Sequence, residues 1–133
     1  MTVKTADEIL RQIKNVEVDE YSTPCTITAN VDASFDELAT KMQENGIRHI
    51  PVIDGNQPVG MISDRDIRNI PPQTPLTARD LMHESPYTVH AGTLLRDVVF
   101  EMSERKLGSA LVMDEDANDL MIFTSVDALN ALN

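Results

Sequence analysis

Ser63 and Asp66 stand three positions apart, and Thr124 and Asp127 repeat that spacing in the second half of the chain. Each pair closes an apolar run, Gly60-Met61-Ile62 in one case and Met121-Ile122-Phe123 in the other, that reads as the end of a strand. A hydroxyl followed three residues later by a carboxylate is the pattern of a capping box, in which side chains and backbone N–H groups satisfy one another at the start of a helix. Thr5/Glu8, Ser34/Glu37 and Thr77/Asp80 show the same pattern, so capping alone accounts for any single copy. Repetition at two strand-to-helix junctions sets Ser63/Asp66 and Thr124/Asp127 apart. A helix N-terminus offers free N–H groups to a phosphate, and the hydroxyl can donate to the same oxygens. The carboxylate can accept from two hydroxyls at once, as an acidic residue does toward a ribose diol in dinucleotide-binding folds. The stretch reads as half of a nucleotide site, used twice.

Such corners need strands before them and helices after them, and the sequence supplies both. A first amphipathic helix over residues 5–14 starts at Thr5 and carries Ile9, Leu10 and Ile13 on one face. Cys25-Thr26-Ile27-Thr28 has the β-branched content of a short strand. Ser34 caps a helix whose Phe35, Leu38, Ala39 and Met42 form an apolar stripe, and Gly46 ends it. His49 to Ile53 and Pro58 to Ile62 flank Asp54-Gly55-Asn56-Gln57, a turn chemistry that predicts a hairpin, with Pro51 placing the first strand at an edge or a strand start. Asp64 to Ile70 continues as a helix that Pro71, Pro72 and Pro75 cannot extend.

The second half repeats this order. Pro86 to His90 aligns with Pro24 to Thr28, Leu95, Val98, Val99 and Met102 align with the first helical stripe, and Ala110 to Asp114 aligns with Ile50 to Asp54. The division is an N-terminal helix over 1–15, a first repeat over 16–70, a Pro-rich linker over 71–77 and a second repeat over 78–133. Two copies of about 60 residues are too few for a solenoid and describe an internal dimer of one α+β unit.

Residues 16–132 resemble the cystathionine-β-synthase (CBS) domain, two of which pair into a Bateman module. The resemblance lies in Thr23-Pro24, in Asn45 to Asp54 and in Gly60 to Asp66 taken together. It implies an α+β tandem pair of β-α-β-β-α repeats packed with pseudo-two-fold symmetry, with two clefts for adenosine-containing ligands. Carried over by position, one cleft has Ser63 and Asp66, a base wall of Thr88, Val89, Leu107 and Ala110, and Arg48 and Arg65 for phosphates. The other has Thr124 and Asp127, with Thr26, Ile47, His49 and Ile50 as base wall. This second cleft departs from the pattern: Met121 stands where the family usually has Gly, and Gly108 and Val126 stand where the first repeat has Arg48 and Arg65. The expected ligand is AMP, ADP, ATP or an S-adenosylmethionine-type compound, acting as a regulatory ligand with no cofactor required. The resemblance also implies that helix faces bearing Leu129, Leu132 and Ile67 are left for a partner chain to cover, so the expectation is a homodimer, with an unidentified regulated protein as a further partner.

The net charge of −11, acidic in both halves, argues against nucleic-acid backbones and anionic membranes as partners. No apolar run approaches the ~18 residues of a membrane span, a single cysteine excludes an internal disulfide, and the opening residues carry no secretory signal, so the expectation is a cytoplasmic protein. Cys25 lacks a companion base and reads as a small buried hydrophobe. His83 and His90 lack metal-pair spacing and read as surface or cleft-rim residues. Asp114, Glu115, Asp116 and Asp119 lack the alternating register and Gly of a calcium loop. The chain is therefore read as a regulatory module without catalytic or metal-ligating residues. The alternative is a dimerisation or docking module whose clefts stay empty and whose Ser/Thr-x-x-Asp stretches are only caps.

Overall fold

In the computed structural model, which describes residues 5–132 and leaves the side chains of Ala6, Ile9 and Leu10 outside the described set, the elements run in the order the repeat requires. They are α1 (Ala6–Ile13), a 3-10 turn (Val18–Tyr21), β1 (Thr23–Pro24), β2 (Ala29–Asn30), α2 (Phe35–Asn45), β3 (His49–Asp54), β4 (Gln57–Ser63) and α3 (Asp64–Ile67). Then follow α4 (Ala78–Leu81), β5 (His83–Glu84), β6 (Thr88–His90), α5 (Leu95–Arg105), β7 (Ser109–Asp114), β8 (Asp119–Thr124) and α6 (Ser125–Ala131).

Two compact units result, and they do not follow the sequence segments. Residues 25–86 form one, and the residues up to Pro24 join those from Tyr87 onward in the other. Strand pairing is the cause: β5 completes the sheet β2-β3-β4-β5, and β1 completes the sheet β1-β8-β7-β6. Each sheet thus takes its outer strand from the segment ahead of the other repeat.

In the 25–86 unit, Ser34 Oγ accepts from the Glu37 N–H at 3.1 Å and Gly46, at φ +60°, closes α2 in the left-handed conformation that glycine adopts without strain. Phe35, Leu38 and Met42 are buried against Ile50 and Val52 of β3, Ile62 of β4 and Ile67 of α3. Full burial of a side chain such as Leu38 contributes about 1.5–3 kcal/mol. The predicted hairpin forms, with Asp54 opposite Gln57 and Gly55 at φ +63°. Pro51 is neither on an edge strand nor at a strand start, because β3 lies between β2 and β4. It is tolerated there because the two-residue β2 meets β3 only at Val52 and Ile53, so no ladder bond from β2 is required of the Pro51 nitrogen.

The other unit repeats the scheme with Leu95, Val98 and Met102 of α5 against Ala110 and Val112 of β7 and Phe123 of β8. Lys106, at φ +56°, ends α5 where Gly46 ends α2. Ile13 of α1 is buried in this core together with Val18, whose N–H donates to Thr93 O at 2.8 Å.

The expected strand over 25–28 does not form. Those residues connect β1 in one sheet to β2 in the other, and a segment that links two sheets has no neighbouring strand to ladder with. Pairing also moves the repeat register by two residues. Ala29 lies opposite Val52 as Val89 lies opposite Val112, so Thr88 corresponds to Thr28, whereas matching the prolines aligns it with Thr26. By the same register, His83-Glu84 is the counterpart of Thr23-Pro24.

Candidate functional site

The strand-to-helix corners are built alike. In the 25–86 unit β4 delivers Ser63 to the start of α3, and the Asp66 carboxylate returns to it: Oδ2 accepts from the Ser63 N–H at 2.8 Å and from the Ser63 hydroxyl at 2.9 Å. In the other unit Asp127 Oδ2 accepts from the Thr124 N–H at 2.8 Å and from its hydroxyl at 3.1 Å. The exposed Asp80 makes the same two bonds to Thr77, at 2.9 and 3.0 Å. Capping therefore explains Oδ2 at all three places, and the other oxygen sets Asp66 apart from the other two.

Asp66 Oδ1 lies 2.9 Å from Nε2 of His83, whereas Asp127 Oδ1 has no protein partner among the described residues. His83, which its spacing marks only as a surface or rim residue, is thus part of the corner. The signal for it in the sequence is the repeat itself, since strand register pairs His83 with Met61 and brings β5 beside β4. Desolvation is the largest influence on Asp66 and pushes its pKa up, but hydrogen bonds from the Ser63 backbone, His83 and the Ser63 hydroxyl together hold it below the ordinary carboxylate value. His49 faces Ser63 across β3 and β4, and its burial holds it below the ordinary histidine value; Asp66 opposes that shift and Arg48 adds to it.

Asp64 N–H donates to Arg48 O at 2.8 Å, which ties the start of α3 to the entry of β3. The exposed guanidinium groups of Arg48 and Arg65 have no ion-pair or hydrogen-bond partner among the described residues, whereas Arg68 pairs with Asp64 at 3.2 Å. Arg48 and Ile47 line an open groove of about 600 Å³ between α2 and α3 that Ser63, His49 and Asp66 do not line. The counterparts of the two arginines, Gly108 and Val126, bring no charge to the Thr124 corner.

The expected base-wall residues divide by burial. Alternation along β3 sends the fully buried Ile50 into the core on the face opposite His49, so a ligand reaches only its backbone. Ala110 is likewise buried in its unit's core, and Val89, Leu107 and Ile47 pack partly against theirs. Thr26 and Thr88 are exposed, Thr26 on the link between sheets and Thr88 on β6. Met121 packs against its own core, and the glycine at its counterpart is required by a protein side chain: a Cβ on Gly60 would fall 2.8 and 2.9 Å from Met82 Cγ and Cβ. The counterpart of Met82 in the other repeat is the smaller Ser22, so the bulk at this place sits on β8 in one unit and just ahead of β5 in the other. Burial pushes the Cys25 thiol up to about 11, far from the thiolate a nucleophile needs. Among the described residues no helix is long and apolar enough to cross a membrane, and no group of three or more His, Cys, Asp or Glu side chains is arranged to hold a metal ion.

Residues 18–72 and 78–132 each match the CBS domain, and the chain belongs to that family. It is 26% identical over 117 residues to inosine-5'-monophosphate dehydrogenase of Haemophilus influenzae, covering 86% of this chain and 24% of that enzyme. Among solved structures it resembles a CBS domain pair in complex with 5-methylthioadenosine and S-adenosyl-L-methionine, with TM-score 0.78, 25% identity and coverage of 89% of this chain and 100% of that one. It also resembles the protein CBSX2 in complex with AMP, with TM-score 0.73, 27% identity and coverage of 86% and 94%. The chain spans 41% and 24% of the length of the first curated relatives it matches.

Proposed function

We propose that the chain is a regulatory module that binds an adenosine-containing ligand at its Ser63/Asp66 and Thr124/Asp127 corners and signals through a change of shape or of partner contacts. The observation that carries this reading is that at two strand-to-helix corners the cap uses only Oδ2 of its carboxylate, the other oxygen meeting the exposed His83 at Asp66 and no protein group among the described residues at Asp127, in a chain of a family whose solved members bind 5-methylthioadenosine, S-adenosyl-L-methionine and AMP. The Ser63/Asp66 corner is the one for a phosphorylated ligand. Arg48 and Arg65 supply guanidinium groups without a partner among the described residues in a chain of net charge −11, and Gly108 and Val126 supply none at the other corner. The test is calorimetric titration of the full chain and of D66A and D127A with adenosine, AMP, ATP and S-adenosyl-L-methionine. Asp66→Ala is expected to weaken AMP and ATP roughly 10- to 100-fold, and Asp127→Ala much less. No binding of any of the four overturns the reading.

A second reading, docking through an apolar face, is favoured by one observation. Phe100 of α5 and Val126, Leu129 and Leu132 in and after α6 are exposed large hydrophobic residues. Ile67 is not available to such a face, being buried in its own core. Pairing of two chains through these residues is part of the proposal, and sedimentation that gives a monomer at micromolar concentration counts against it.

A further inference from the structure

We propose that His83 competes with the ligand for Asp66, which makes the Ser63/Asp66 corner sensitive to protons and leaves the Thr124/Asp127 corner insensitive to them. The inference rests on the reading that Asp66 receives a ligand hydroxyl pair. Asp66 Oδ2 already accepts two bonds from Ser63, so a diol must be received largely by Oδ1. That oxygen faces His83 Nε2 at 2.9 Å, which leaves it one lone pair until the imidazole moves away.

The surroundings favour movement of the histidine over movement of the carboxylate. The Asp66 side chain is 18% exposed and fixed by Ser63, whereas His83 is 75% exposed on a two-residue edge strand. A neutral imidazole with its proton on Nε2 donates this bond without charge and an imidazolium donates it with a full charge, so the protonated form is the stronger competitor. His49 on β3 interacts electrostatically with Asp66 and with the adjacent Arg48, and the charged neighbours of the pair along the chain are Asp64 and Arg65 on α3 and Glu84 on β5. At the other corner the register position of His83 is held by Thr23, whose side chain carries no ionisable imidazole.

The experiment uses adenosine, which carries no phosphate to titrate, with the full chain and with D127A, D127A/H83A and D127A/H83Q, at about pH 7.5 and about pH 5.5. Affinity of D127A is expected to fall about two- to fivefold on acidification, the range for a partly exposed ion pair. H83A is expected to bind more tightly than its parent at the lower pH and to lose the dependence. H83Q, which can still donate to Oδ1 but cannot titrate, is expected to keep near-parental affinity at the higher pH and to lose the dependence as well. The same pH profile in H83A and its parent overturns the competition while leaving adenosine binding intact, as does binding that D127A abolishes. Absence of adenosine, AMP and S-adenosyl-L-methionine binding by the unaltered chain overturns the ligand reading and the competition with it.

Discussion

The two corners share a capping geometry to within about 0.2 Å, yet they differ in everything that surrounds it. Beside the Ser63/Asp66 cap in the chain and across β3 stand Arg65 and Arg48, neither with a partner among the described residues, the partly buried His49, and His83 on the Asp66 oxygen that the cap does not use. Around Asp127 the corresponding positions hold Gly108, Val126, Ser109 and Thr23, none of which carries charge. Hydrogen bonds of the cap are therefore the constant part of the repeat, because the first turn of either helix must satisfy its N–H groups whatever else happens. The flanking side chains are the part free to diverge, and divergence there changes electrostatics without changing the backbone.

The most severe test of the comparison exchanges bulk between repeats. Gly60→Met is expected to destabilise the chain by about 1–3 kcal/mol in urea denaturation, because Met82 already occupies the place of the new side chain. Adding Met82→Ser, which recreates the Met121/Ser22 arrangement, should recover most of that loss. A double variant no more stable than Gly60→Met would show that the two strand pairs are not interchangeable.

Next in size is the cap itself. Asp127→Ala should lower stability by about 1 kcal/mol through the loss of its bonds to Thr124. Asp66→Ala should lower it further, since the contact to His83 goes as well. Thermal melts in the absence of ligand compare them, and equal losses would mean that the His83 contact contributes nothing to the fold.

The pH dependence of stability separates the corners more finely. His49 has its pKa lowered by burial, so the unfolded chain takes up a proton first as pH falls through the ordinary histidine value, and stability declines from there toward the lower folded value. Asp66, also lowered in the folded chain, contributes stability that is present above the ordinary aspartate value and lost as pH falls through its folded value. His49→Gln should flatten the first decline and leave the second. A Ser109→Ala variant, altered at the corresponding place in the other unit, should change neither.

The smallest expected effect concerns Cys25. With its thiol pushed up to about 11, alkylation of the folded chain near neutral pH should be slower than that of a free cysteine peptide, and unfolding in urea should restore the faster rate. A folded-state rate matching the peptide would place the thiolate in reach of solvent.

Local chemistry carries its own address in this chain, and that part is legible in the amino-acid sequence alone. Ser34 and Gly46 bracket α2, Asp54-Gly55 turns the hairpin, and the hydroxyl-to-carboxylate spacing closes each cap, because each depends on residues a few positions apart. The apolar stripe of α2 likewise determines which face is buried, and the internal repeat determines an α+β tandem pair. Other features depend on strands distant in sequence. Cys25 to Thr28 has the residues of a strand but no strand beside it, so its β propensity goes unused. Pro51 reads as an edge residue, and only the shortness of β2 lets it sit in the middle of a sheet. Pro24 and Pro86 suggest one register, and the ladders impose another, because pairing is decided by which backbone groups face each other and a proline offers no donor to that decision. Seventeen positions separate Asp66 from His83, and no local rule relates them; the pairing of β5 with β4 is what sets an imidazole on the free carboxylate oxygen.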